Sequence, residues 1–493
     1  MKLKLLGPPG CGKTTRLLQH LEKELEKGTP PERIAFLTFT RAARIEALTR
    51  TGKTDVEFPY LKTIHSICYH QLTIGKDQIV RPDTLRTFGR KIGVKLSGTD
   101  FDPWIEEYER GIDAPTRDDF LLQANHRGRH RKIMLKESLF DISLEIDFKY
   151  ATWFTKAYRA WKNANGLLDY TDLLSRYIEV GKPLDIDAIF IDEAQDLSAL
   201  QWDAVSILGG LASRWYIAGD DDQAIFHWAG ADGTIFQDLE VDQTEILNQS
   251  YRVSKAVHKS SMGIVSRINK RLEKSYSPTE SEGEVSNTGY LASADLSQKT
   301  FILFRNHYRG AEIAQLLRSE NIPYIGKGSP LLDINVRSAM YSFYQLIKTG
   351  KSPAESVKRL LRFADQDYIR PGINSLVRSK KILTSEDVFI RKLRPIDWKR
   401  LFPKLPGSDS IEQHIKEHGL LRTALPMVEL MSIHQSKGRE AHTVIIDPEM
   451  SRAVWLGMIA RPDDEHRVWY VAMTRAKERV FFMLPDGNYS YKF

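Results

Sequence analysis

Cysteine is almost missing from this chain: Cys11 and Cys68 are the whole complement in 493 residues. Two cysteines cannot build a disulfide framework or a cysteine-rich zinc site, so a reducing, cytoplasmic setting is expected. No apolar run approaches the length of a membrane span, and the short one at residues 1–6 stops at Gly7-Pro8-Pro9, too soon for a secretory leader. Tandem repeats and long low-complexity tracts are also missing. The composition is not that of a disordered chain either. With 42% hydrophobic, 10% aromatic and 27% charged residues, a large core can form, and the length suggests about two to four folding units. The formal net charge of +7 favours a polyanionic partner without specifying one.

What is present starts at the first strand. Residues 2–6 read as a short buried strand, followed by Gly7-Pro8-Pro9-Gly10-Cys11-Gly12-Lys13-Thr14 and a helical pattern over 15–26. Glycines let backbone N–H groups approach phosphates, Lys13 offsets charge on the β- and γ-phosphates, and the Thr14 hydroxyl suits Mg²⁺. Cys11 reads as a small spacer in this loop. A second apolar strand, 188–191, ends in Asp192-Glu193-Ala194-Gln195-Asp196. Acidic side chains at the carboxyl end of a parallel strand can hold the metal through Asp192 and take the proton of a hydrolytic water through Glu193. A third strand, 215–218, runs into Gly219-Asp220-Asp221-Asp222-Gln223-Ala224-Ile225-Phe226-His227-Trp228-Ala229-Gly230-Ala231. There Gln223 can sense a γ-phosphate while Phe226 and Trp228 offer faces on which any base can stack.

These segments, with several that follow, resemble the UvrD/Rep/PcrA branch of superfamily 1 helicases, motif after motif in the same order. Residues 36–43, with Thr38 and Thr40, and 63–66, with His65, are similar to two motifs that contact the DNA strand. Residues 166–174 are similar to the segment ahead of the acidic box. Leu247-Asn248-Gln249-Ser250-Tyr251-Arg252 resembles the motif whose tyrosine stacks on adenine and whose arginine reaches the γ-phosphate. Residues 432–440 resemble the next, which implies that Lys437 and His434 lie near phosphates of nucleotide and DNA and Glu440 near the ribose. Tyr470-Val471-Ala472-Met473-Thr474-Arg475-Ala476 resembles the last, making Arg475 a second arginine finger.

The resemblance implies an α/β fold of two RecA-like P-loop NTPase cores with parallel sheets, each interrupted by an inserted, mainly helical subdomain. The first core would be 1–70 with 166–250, its insertion 71–165. The second would be 251–345 with 421–493, its insertion 346–420 short for the family. It further implies an enzyme, an ATP-dependent DNA helicase using ATP and Mg²⁺ at an interlobe cleft. Its nucleotide would be held by Gly7, Gly10, Gly12, Lys13, Thr14 and Thr15 with Tyr251, Arg252, Lys437, Glu440 and Arg475. It would move 3′ to 5′ on single-stranded DNA and meet single-strand/duplex junctions as a monomer, without a membrane. The alternative is a DNA-stimulated translocase that strips protein–DNA complexes without processive unwinding.

Some features stay open or depart from the family. The basic run 125–132 fits a DNA contact or a solvated loop equally, and the cluster 391–400 fits a solvated basic face or a guide for duplex DNA. Residues 275–289 read as a surface loop. Ile64 stands where relatives carry an aromatic, Thr15 where they often carry an arginine, with Arg16 one position late. The adenine-reading glutamine motif has no room ahead of residue 2. Discrimination among nucleoside triphosphates should therefore be weak: GTP, CTP and UTP are expected to compete with ATP for turnover, and a strong ATP preference in that assay contradicts this.

Overall fold

The computed structural model describes every residue except 38–47, 50, 53, 55, 99–115, 117, 141–145 and 289–295. Six strands form the first sheet: β1 (Lys2–Leu6), β2 (Ile34–Leu37), β3 (Leu61–Lys62), β4 (Ala188–Ile191), β5 (Arg214–Gly219) and β6 (Gln243–Ile246). Their order is β3-β2-β4-β5-β1-β6, and every neighbouring pair is parallel. The central strands are near-continuous apolar runs because both faces are covered. Within β4, Ile189 and Ile191 point into a cluster with Leu173, Tyr177 and Val205. Ala188 and Phe190 point to the other side, against Leu17, Leu18 and Leu21 of the helix Lys13–Glu26. A parallel sheet delivers all its strand ends to one edge, so the loops after β1, β4 and β5 emerge together. That shared edge is what brings the three candidate loops within reach of one another.

A second six-stranded sheet has the order β7 (Glu284–Thr288), β14 (Ala476–Met483), β13 (Ala441–Ile446), β8 (Thr300–Phe304), β12 (Val428–Ser432) and β9 (Tyr324–Ile325). In it β8 pairs in parallel with β12 and β13, and β12 with β9. The protein is thus a mixed α/β chain with two parallel-strand sheets, as expected. Strand β7 falls within 275–289, which the sequence reads as loop. By compactness, residues 1–284, 451–478 and 493 form one unit and 285–450 with 479–492 another. The second unit also carries a helical cluster from Leu331 to Ala424, with a short antiparallel ribbon of β10 (Lys351–Pro353) and β11 (Ile382–Thr384). Trp398, the aromatic of the 391–400 cluster, is buried in that core. Among the described residues no helix is long and apolar enough to cross a membrane.

The basic run 125–132 is not the solvated loop that is one reading of the sequence. It lies mostly on the helix Asp119–Arg131, where Asn125, His126, Arg127 and His130 are buried. His126 Nδ1 lies 2.7 Å from Thr171 Oγ1, which lies 3.3 Å from His130 Nε2, while His130 Nδ1 is 2.9 Å from Ser198 Oγ. Arg129 meets Asp169 at 3.3 Å and Asp172 at 2.7 Å. Paired in this way, polar groups can leave water at modest cost.

Burial pushes both His126 and His65 down to about 4. Their folded values lie below the unfolded one near 6.5, so the stability they contribute is present above that pH and is lost as pH falls toward 4. Denaturant midpoints should therefore drop between about pH 7.5 and about pH 5, and less so in His126→Gln. Equal midpoints at the two pH values contradict the assignment.

Candidate functional site

The loop after β1 is shaped by backbone that only glycine adopts easily: Gly10 and Gly12 sit at φ +74° and +76°. A Cβ on Gly10 would lie 2.4 Å from the Arg252 Cβ and 2.9 Å from Ser250 Oγ. Lys13, first residue of its helix, is buried and donates from Nζ to the Gly7 carbonyl at 2.6 Å. Thr14 Oγ1 donates to Asp192 Oδ2 at 2.8 Å, bringing together the two side chains expected to hold Mg²⁺. Burial first, then the neighbouring Glu193, raises the Asp192 carboxyl to about 6. A buried carboxylate so raised, beside a hydroxyl, suits a divalent cation, which would restore its ionised form. Burial pushes the Cys11 thiol up to about 12, in keeping with a spacer.

The acidic box is tied to the sensor loop. Glu193 sits at φ +48° and accepts from Gln195 Nε2 at 2.6 Å; Gln195 Oε1 accepts from the Asp220 amide at 2.9 Å. Asp220 Oδ2 accepts from Gln223 Nε2 at 2.6 Å, and Gln223 Oε1 accepts from Arg475 Nη2 at 2.8 Å. With its amide nitrogen and oxygen both engaged, Gln223 is held in one orientation. Arg475 is itself buried, its Nε donating to the Val471 carbonyl at 3.0 Å.

Beneath this loop is a cluster that the sequence reading missed. Lys274 Nζ lies 3.2 Å from Asp220, 2.5 Å from Asp221 and 2.8 Å from Asp222, all four side chains being buried. Arg271 adds a 2.6 Å contact to Asp222, and Arg467 donates to the Asp221 carbonyl at 2.9 Å. Burial alone would raise Asp220, but Lys274, Lys13 and the Gln223 hydrogen bond outweigh it and lower it. Burial alone would lower Lys274, yet the three carboxylates hold it above its ordinary value. The three aspartates are close enough to hold a metal, but Lys274 already supplies the charge. Three consecutive acids running into a buried loop were the available signal that a cation must come from elsewhere.

Farther along the loop Phe226 and Trp228 are half-buried. Between them His227 Nε2 faces Arg461 Nη1 at 3.0 Å, and Gly230, at φ +111°, packs so that a Cβ would come 2.7 Å from His130. Tyr251 is 76% exposed while its amide donates to the Gly10 carbonyl at 2.9 Å, leaving the ring beside the loop and open to a base. Arg252 and Arg475, expected in the second core, belong to the same compact unit as the phosphate loop. Thr15 is half-buried in the first helical turn, and Arg16 is engaged with Glu245 at 2.7 Å. His65 is buried, edge-on to Tyr170 at 5.8 Å between ring centroids. Ile64 is buried in the core with Ile67, Cys68 and Leu173. Thr38 and Thr40 lie outside the described residues. His434, Lys437 and Glu440 are half-buried in the second unit, on the loop after β12.

Comparison with known proteins gives two family matches: the UvrD/REP helicase N-terminal domain over residues 1–244 and the UvrD-like helicase C-terminal domain over 403–486. The ATP-dependent DNA helicase PcrA of Staphylococcus aureus is 21% identical, the alignment covering 100% of this chain and 83% of that protein. PcrA of Staphylococcus epidermidis is 22% identical, with 97% and 80% covered.

Removing the central cation takes the shared ammonium from three buried carboxylates and leaves only Asp222 with a second cation, Arg271, in contact. Lys274→Met should cost about 3–5 kcal/mol of stability in denaturant unfolding, and Lys274→Arg substantially less. A loss below about 1 kcal/mol in Lys274→Met contradicts the assigned role.

Proposed function

Since the chain belongs to the UvrD/Rep/PcrA family of ATP-dependent DNA helicases, we propose that it hydrolyses ATP at the loops ending β1, β4 and β5. The cycle drives it 3′ to 5′ along single-stranded DNA and separates strands at junctions. The observation that carries this reading is the 219–231 loop. It joins Gln223, fixed between Asp220 and Arg475, to Phe226 and Trp228 on one short connection. A change at the γ-phosphate that shifts Gln223 therefore reaches the aromatic pair directly, and aromatic faces grip bases without sequence preference.

Gly7, Gly10, Gly12, Lys13 and Thr15 line the phosphate site in this reading, and Tyr251 stacks on the base. Thr14 and Asp192 would hold Mg²⁺, which supplies charge neutralisation at the β- and γ-phosphates. Glu193 accepts the proton of the attacking water, Gln223 orients that water, and Lys13, Arg252 and Arg475 offset the charge that develops on the transferred group. Thr38, Thr40 and His65 join Phe226 and Trp228 on the strand; for His65 this requires its buried ring to move. A second reading, a translocase that strips proteins without processive unwinding, has one observation in its favour. The alignment with PcrA of Staphylococcus aureus runs over 625 positions against 493 residues here, so that relative has segments this chain lacks.

Glu193→Gln should bind ATP while DNA-stimulated turnover falls by about 10²–10⁴-fold; retained turnover removes the assigned base. On tailed duplexes with ATP, unwinding should require a 3′ tail. Efficient opening from a 5′ tail contradicts the polarity, and movement along the strand without duplex opening favours the second reading.

A further inference from the structure

The helix Phe148–Ala164 carries a feature that the motifs leave unused. Its inner face is anchored: Ala151, Phe154 and Tyr158 are buried in the first inserted cluster, and Lys162 is paired with Asp169 and Asp172. Its outer face shows two large aromatic rings to solvent. Trp153 is 44% exposed and Tyr150 39%, their rings stacked at 5.4 Å and 20°. Ordinary surface helices do not present such a pair, because exposed aromatic surface carries a solvation cost that function usually justifies.

Charge points the same way. The helix has four basic residues and no acidic one. Lys149 and Lys156 lie four residues before and three after Trp153, hence on the same stripe, with exposed Arg159 alongside. None of these three cations forms an ion pair with a described residue. A flat aromatic platform flanked by three cations, with Asp147 occupied in capping the first turn of the helix, is the arrangement that suits an unpaired nucleic-acid strand: bases stack on the rings while phosphates meet the lysines. Duplex DNA offers no free base face to Trp153, and a protein partner would have to bring its own acidic patch.

We propose that Trp153, Tyr150, Lys149, Lys156 and Arg159 form a second site for single-stranded nucleic acid, separate from the loop that holds Phe226 and Trp228. It retains strand outside the motor track, without sequence preference. The ligand class rests on the reading of the chain as a DNA motor; the site rests on this helix alone.

The test uses the full chain with oligothymidylates of about 15 and about 40 nucleotides, the longer able to span two sites. Trp153→Ala should weaken binding of the longer strand on the order of tenfold, with much less effect on the shorter. It should also remove part of the tryptophan quenching seen on binding, while DNA-independent ATP turnover stays unchanged. Lys149→Glu/Lys156→Glu should reduce the slope of log affinity against log salt by about 1.4, the expectation for two phosphate contacts on a single strand. These side chains are exposed, so circular dichroism should confirm that both variants fold as the wild type does. Wild-type affinity and salt slope in both variants overturn the proposal, as does a loss confined to blunt duplex. If the unmodified chain binds neither oligonucleotide, the motor reading itself fails, a result distinct from a site-specific failure.

Discussion

Three carboxylates share one buried place in this protein, and the one ammonium that meets all three, Lys274, is central to holding them there, with Arg271 added on Asp222. Without Lys274, mutual repulsion and desolvation would destabilise the buried cluster or push the loop into solvent. With it, Asp220 stays ionised against its burial, and an ionised Asp220 is what holds the Gln223 amide. Gln223 in turn meets Arg475, and the 3.2, 2.6 and 2.8 Å contacts from Lys274 through Asp220 and Gln223 to Arg475 run without interruption. The orientation of a side chain suited to sensing a γ-phosphate thus depends on a lysine outside every recognised motif.

The other end of the same loop is fixed by different means. His130 packs against Gly230 and shares a hydroxyl network with His126, Thr171 and Ser198. These imidazoles stay neutral through burial, so they act as hydrogen-bonding partners of hydroxyls rather than as charges. One end of the loop is set by paired charge and the other by neutral polar packing. Phe226 and Trp228, between the two, have little freedom to move independently of Gln223. Such rigid linkage suits a device that converts a change at a phosphate into a change of grip.

Much of this was legible in the sequence because the relevant chemistry is local. The phosphate loop, the acidic strand end and the 219–231 loop each declare themselves within a few residues, and the parallel sheet follows from the apolar runs at 2–6, 188–191 and 215–218. What stayed hidden depends on distant pairing. Nothing near residue 274 says that its lysine meets aspartates some fifty positions earlier. The run 125–132 looked like surface because basic residues usually are, but its partners at Asp169, Thr171, Asp172 and Ser198 lie far along the chain. Ile64, which stands where relatives carry an aromatic, packs with side chains more than a hundred positions away, such as Leu173. The Tyr150–Trp153 pair was obscured for the converse reason: on a helix already rich in aromatics, spacing alone does not say which rings face out.

In the function proposed, nucleotide chemistry and strand grip are joined through one loop. That coupling is measured most directly as steady-state ATP turnover while single-stranded DNA is added to the unmodified protein. Turnover should rise by about tenfold or more and saturate as the strand fills its site. Turnover that is unchanged at DNA concentrations where binding is complete would contradict the coupling, whatever the rate of hydrolysis itself.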